Sequence, residues 1–231
     1  MENLIYKTFG CVKNCSKLIV FLHGYNSCID DVAPYAELLA QRLENTLIVV
    51  PEAPMTCERN PLKKQWYALT DVDPERKRRK PETPTDEIVA IYNKTGQRVS
   101  KAAKEINRFI TALQKQYSIS NKNSYIMGFS QGAMLAIFTG LTRRYKLGGV
   151  FPFAGIVCGK DELEKEISSR PDVYLFHGTD DLFVQYKTLA FTKEWLETHG
   201  VSWEAVEYHG IEHRLIEDEM EDAAEIINRS A

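Results

Sequence analysis

The segment Gly128-Phe129-Ser130-Gln131-Gly132 sets a serine between two glycines, and its surroundings define what that serine could do. The preceding run 124–127 is short and suited to a strand, while Ala133-Met134-Leu135-Ala136-Ile137-Phe138 is apolar on every side, as a buried helix is. A serine on a sharp strand-to-helix turn holds its hydroxyl clear of the backbone, and the glycines leave room where larger side chains would collide. The spacing predicts Ser130 to be a nucleophile toward an acyl carbon.

A serine hydroxyl is a weak nucleophile near neutral pH, so it needs an imidazole to take its proton and a carboxylate to orient that imidazole. Where the nucleophile sits on such a turn, the acid follows a later strand and the histidine comes last. His177-Gly178-Thr179-Asp180-Asp181 and Gly210-Ile211-Glu212-His213 meet that order. His213 is the expected base because it lies in a strand-to-helix loop; His209 at a strand end competes with it, and His199 lies near a helix end, where a capping role is usual. Asp180 and Asp181 are both candidates for the acid: neighbouring side chains point in different directions, so one faces the imidazole and the other stabilises the turn. The tetrahedral oxyanion of acyl transfer needs backbone N–H donors, expected from Gln131 and from Tyr25 in the early loop His23-Gly24-Tyr25-Asn26-Ser27.

The elements that must position these groups follow from periodicity. Runs 18–22, 46–50, 124–127, 150–153, 173–176 and 204–208 read as strands, most of them too apolar for one wet face. Between them Val99, Ala102, Ala103, Ile106, Phe109, Ile110 and Leu113 form a helical stripe, as do Val32, Tyr35, Ala36, Leu39 and Leu43. Alternating strands and helices with apolar strands predict an α/β fold, a mostly parallel central sheet with helices on both faces. Residues 4–9 could add an antiparallel edge strand, and a helix near 215–228, acidic at its start, is expected to close a single domain spanning 1–231. The proline-rich stretch 51–95 reads as an excursion over the active edge, and its basic run Arg76-Lys77-Arg78-Arg79-Lys80 as a solvated loop.

Composition narrows the partners. A net charge of -3 gives no overall pull toward nucleic acid or an anionic membrane. No apolar run approaches the roughly 18 residues of a membrane span, so no integral membrane association is expected. Residues 1–7 lack the features of an export signal, which predicts a cytoplasmic protein. Its five scattered cysteines then read as reduced thiols, and the Cys11/Cys15 pair lacks the second pair a zinc site needs, so no metal or cofactor is expected. A small-molecule or lipid substrate met by a monomer or homodimer fits that balance.

Taken together, Phe21-Leu22-His23-Gly24, Gly128-Phe129-Ser130-Gln131-Gly132, His177-Gly178-Thr179-Asp180-Asp181 and Gly210-Ile211-Glu212-His213 resemble the phospholipase/carboxylesterase family of α/β-hydrolases, which includes the acyl-protein thioesterases. The resemblance spans nearly the whole chain. It implies an α/β-hydrolase fold without a large cap domain, hydrolysis of esters or thioesters of short to medium acyl chains, and Asp181 rather than Asp180 as the acid. Relatives commonly carry Gly-Asp where this chain has Asn26-Ser27, an acidic residue at Thr179 and proline at Leu182, and Gln65-Trp66-Tyr67-Ala68 keeps only the aromatic part of a Trp-Phe-Asp-like segment. Amide or peptide hydrolysis by the same three residues is the alternative. A non-catalytic binding protein on the same scaffold is a distant one, since such proteins normally lose one of these groups.

Overall fold

The computed structural model describes residues 4–229; of the heptapeptide read for an export signal, residues 1–3 lie outside them. Apolar β-branched and aromatic runs build a seven-stranded sheet from β1 (Tyr6–Gly10), β2 (Lys17–Leu22), β3 (Thr46–Pro51), β6 (Ser124–Phe129), β7 (Gly149–Phe153), β8 (Val173–Gly178) and β9 (Trp203–Tyr208). Its order is β1-β3-β2-β6-β7-β8-β9, parallel except for β1, which runs antiparallel to β3 with Tyr6 opposite Pro51. Every residue of β3, β7 and β8 is buried, the signature of strands covered on both faces.

Alternation along β2 assigns the two cores. Leu18, Val20 and Leu22 face α3 (Gly96–Tyr117), α4 (Gln131–Thr142) and α6 (Thr188–Thr198), whereas Ile19 and Phe21 face α1 (Ile29–Arg42) and α7 (Glu217–Arg229). In α4 the residues from Gln131 to Leu141 are all buried, so this helix is apolar all round because sheet and α3 enclose it. Among the described residues no helix is long and apolar enough to cross a membrane.

The chain runs from β2 to β3 on one side and returns to β6 on the other, so β2 and β6 flank the point where strand order reverses. Such a point leaves a crevice beyond the carboxyl ends of the strands. The loop carrying Tyr25 and the turn carrying Ser130 both open there.

The excursion 51–95 is more ordered than its composition suggests. It holds a two-stranded ribbon, β4 (Met55–Cys57) with β5 (Asn60–Gln65), a 3-10 turn at Lys77–Arg79, and α2 (Thr85–Asn93). The basic run is solvated only in part: Arg76, Lys77 and Lys80 are exposed, whereas Arg78 is buried against Asp73, Nη1 to Oδ2 at 2.7 Å, and Arg79 is half-buried. A local carboxylate reached only through the turn allows the guanidinium to leave water. The remaining member, α5 (Lys160–Glu166), packs on α3.

Two features tie the fold to the edge where the loops meet. Gly178, at the end of β8, passes so close to the loop after β9 that a Cβ would lie 2.2 Å from the Ile211 carbonyl oxygen. Gly178→Ala therefore moves the 209–213 loop, and thermal denaturation should show a loss of about 1–3 kcal/mol, the usual cost of overpacking. Glu219, 2% exposed in the first turn of α7, accepts the Ile216 N–H at 3.0 Å. Burial, helped by Asp181, Asp218 and Asp222, raises its pKa to about 8 against that hydrogen bond. The folded value lies above the ordinary 4.5, so its stabilising effect is complete below about pH 4.5 and is lost as pH rises toward 8. Glu219→Gln, neutral throughout, should show a shallower fall in melting temperature than the parent between pH 5 and 8; parallel curves would count against a protonated Glu219.

Candidate active site

Ser130 joins β6 to α4 with φ +55° and ψ −112°, a backbone that residues other than glycine rarely adopt. Three chain segments crowd it into that shape. A Cβ at Gly128 would lie 2.2 Å from the Gly132 carbonyl oxygen, and one at Gly132 would lie 2.3 Å from the Leu22 oxygen and 2.6 Å from that of His23. The Ser130 N–H is tied to the Phe153 carbonyl at 2.9 Å. Glycine is thus required on both sides, and the hydroxyl is left standing over the crevice.

That hydroxyl meets His213, Oγ to Nε2 at 2.9 Å, while His213 Nδ1 lies 2.6 Å from Asp181 Oδ2. The imidazole packs against Phe129 at 4.8 Å between ring centres and stacks on Phe183 at 5.3 Å with planes 6° apart, which fixes its rotation. His209 is exposed, and His199 bonds the Trp195 carbonyl through Nδ1 at the end of α6. The structure therefore brings His213, of the two competing histidines, to the serine.

The doubled aspartate separates as cleanly. Asp181 is buried, and its Oδ1 accepts the N–H groups of Phe183 at 2.8 Å and Val184 at 3.0 Å, leaving Oδ2 for His213. His177 sits behind it, donating Nε2–H to the Val184 carbonyl at 2.8 Å with the same nitrogen 3.4 Å from Asp181 Oδ2. Burial alone would raise the Asp181 pKa, but hydrogen bonds and charge from His177 and His213 hold it lowered to about 2. Asp180 is exposed, takes the Thr179 hydroxyl at 3.1 Å, and uses its N–H to hold the Ile211 carbonyl at 3.0 Å. Thr179 adds two more links, N–H to the Tyr208 carbonyl and Oγ1 to the Gly210 N–H, both 2.9 Å. Acid loop and histidine loop are thereby stitched along their length.

Gln131 occupies the first position of α4, where a backbone N–H has no partner within the helix. The early loop lies beside it: a Cβ at Gly24 would be 3.6 Å from the Ser130 Cβ, and Tyr25 lines the same cleft. The Gln131 side chain does something else, accepting the Trp66 N–H at 2.9 Å and donating to the Tyr67 carbonyl at 2.8 Å. Trp66 in turn donates its indole N–H to the His23 carbonyl at 2.8 Å. His23 accepts the Ala53 N–H on Nε2 at 3.0 Å, so its proton is on Nδ1, which donates to the Gly24 carbonyl at 2.9 Å.

Trp66, His177, Phe183 and Arg79 were not among the expected site residues. Trp66 carried only an aromatic signal, and it is buried, at 3% exposure. His177 directly precedes the glycine of the acid loop and could have been found from that spacing; nothing local marks Phe183 or Arg79. Around Ser130, Leu69, Tyr92, Met134, Phe183 and Arg79 line an open cleft.

Comparison with known proteins bears on the fold and the family. Acyl-protein thioesterase 1 of Saccharomyces cerevisiae is 25% identical over 95% of each chain. A probable carboxylesterase of Arabidopsis thaliana, described as SOBER1-like, is 24% identical over 88% of this chain and 74% of its own. The crystal structure of esterase PE8 superposes with a TM-score of 0.82 at 26% identity, covering 99% of both chains. Residues 11–231 match the phospholipase/carboxylesterase family, and the chain belongs to that family of α/β-hydrolase-fold carboxylic ester hydrolases.

Proposed function

We propose that this hydrolase cleaves carboxylic esters or thioesters of short to medium acyl chains through Ser130, His213 and Asp181. The observation that carries the reading is the continuous relay from Ser130 Oγ to His213 Nε2 and from His213 Nδ1 to Asp181 Oδ2. His213 takes the serine proton as Oγ attacks the acyl carbon, then delivers it to the departing alcohol or thiol; water, activated by the same imidazole, releases the acid. Asp181, ionised above about pH 2, holds the Nδ1 proton and stabilises the imidazolium. The Gln131 and Tyr25 N–H groups take the oxyanion, each worth roughly 10²–10³ in rate.

The reading predicts that a fluorophosphonate labels one serine and that Ser130→Ala abolishes labelling; mass spectrometry of the adduct decides, and retained labelling refutes the assignment. Asp181→Asn should lower kcat by about 10⁴, while Asp180→Asn stays within a few-fold of the parent. Equal losses, or the reverse order, would move the acid. Matched p-nitrophenyl esters from acetate to palmitate, a palmitoyl thioester and an anilide then rank chain length and leaving group, with the anilide the slowest; faster anilide turnover would favour amide hydrolysis.

A further inference from the structure

Among the described residues, one cation in the cleft has no carboxylate counterpart. Arg78 and Arg79 both line it. Arg78 is neutralised by Asp73, whose carboxylate also accepts the backbone N–H groups of Lys77 and Arg78. Arg79 is placed differently. Its Nε is buried with no hydrogen-bond partner among the described residues. Its guanidinium lies 4.4 Å from the centre of the Phe183 ring, the ring that stacks on His213. Burial and then Arg78 push its pKa below the ordinary arginine range, Tyr92 opposes them, and Arg59 and Arg76 add to the fall. An arginine nonetheless stays protonated. Arg78 has its carboxylate in Asp73, whereas Arg79 is a half-buried cation without an ion-pair partner among the described residues, a place an anion would fill.

The fold also holds this residue still. Gln185, buried beneath the run, donates its side-chain amide to the carbonyls of Arg78 and Lys80, both at 2.8 Å, on either side of Arg79. Lys187 donates to the Pro81 and Thr83 carbonyls at 2.8 and 2.6 Å. Both side chains belong to the segment between Asp181 and α6, so Arg79 keeps a set distance from the acid loop and from His213. A guanidinium pinned at its backbone and flattened on an aromatic face loses little freedom when it binds, which favours a planar or multi-oxygen anion.

We propose that Arg79 is a specificity-determining residue that binds an anionic group, a carboxylate or a phosphate, carried by the ester or thioester whose carbonyl sits at Ser130. The inference rests on the hydrolase reading above and adds the class of substrate. Leu69 and Met134, in the same cleft, flank the apolar stretch that joins the two groups.

Three matched pairs of esters test it and locate the anion. Mono-p-nitrophenyl adipate against its methyl ester places a carboxylate at the far end of the acyl group. 4-Carboxyphenyl butyrate against its methyl ester places one in the leaving group, and 4-(phosphonooxy)phenyl butyrate against phenyl butyrate places a phosphate there. The parent enzyme should favour at least one anionic member by about tenfold or more in kcat/KM, corrected for uncatalysed hydrolysis, and added salt should reduce that ratio. Arg79→Gln should bring the ratio near one, Arg79→Lys should restore part of it, and Arg79→Glu should reverse it. Circular dichroism and fluorophosphonate labelling of Ser130 confirm that each variant is folded, with Arg79→Met, which keeps the stem on Phe183, in reserve. No preference in any pair, or a preference that survives Arg79→Gln, overturns the anion site and leaves the hydrolase reading intact. Failure to hydrolyse every ester together with no labelling at Ser130 overturns both.

Discussion

The crowding of backbone around Ser130 governs the carboxyl edge of the sheet. Gly128, Gly132 and the end of β2 approach so closely that no Cβ fits at either glycine, and in that space the serine adopts its positive φ. The contact that lifts the hydroxyl over the crevice also brings the His23–Tyr25 loop beside it, because the Cβ missing from Gly132 would occupy the space of the Leu22 and His23 carbonyls. One packing constraint thus sets the proposed nucleophile and its proposed oxyanion donors together. Such strain persists only where the surroundings over-determine it, and here a buried helix, a parallel strand pair and the hydrogen bond to Phe153 do so.

Charge around the relay is managed by burial. Asp181 stays ionised inside the protein since two backbone N–H groups and two histidines supply what water would. Glu219, close enough for Asp181 to act on its ionisation, is kept protonated instead, which spares the acid loop a second negative charge. Tight stitching between the 179–181 and 208–211 segments matters for the same reason: His213 and Asp181 lie on different loops, and a loosened pair would leave a buried carboxylate without its hydrogen bond.

The excursion 51–95 is clamped rather than floating. Gln131 holds Trp66 and Tyr67, Trp66 holds His23, and Gln185 holds the carbonyls flanking Arg79, so ribbon, nucleophile turn and acid loop move as one body. In the proposed reaction, selection of substrate would fall to side chains mounted on that frame, with Leu69, Tyr92 and Arg79 presented to the cleft. The glutamine beside the serine serves two ends, since its backbone sits at the helix start while its side chain anchors the wall opposite.

What the sequence by itself determined was order and periodicity. Six strand runs, the antiparallel edge, the helical stripes and the succession serine, acid, histidine are all local or follow from spacing along the chain, and each element formed within a few residues of its expected bounds. Asp181 over Asp180 was legible through family resemblance alone, because adjacent aspartates in one loop carry the same local signal. What separates them is the histidine loop far along the chain, where His213 meets Asp181 and the Ile211 carbonyl takes the Asp180 N–H. The tertiary structure alone decided which basic residues left the solvent: Arg78 found Asp73 only through the fold of the 73–78 turn, and Arg79 entered the cleft only because residues 185–187 hold its neighbours from more than a hundred positions away. Ladder hydrogen bonds and apolar periodicity are written in short windows of sequence, whereas the desolvation of a charge depends on every segment that packs around it.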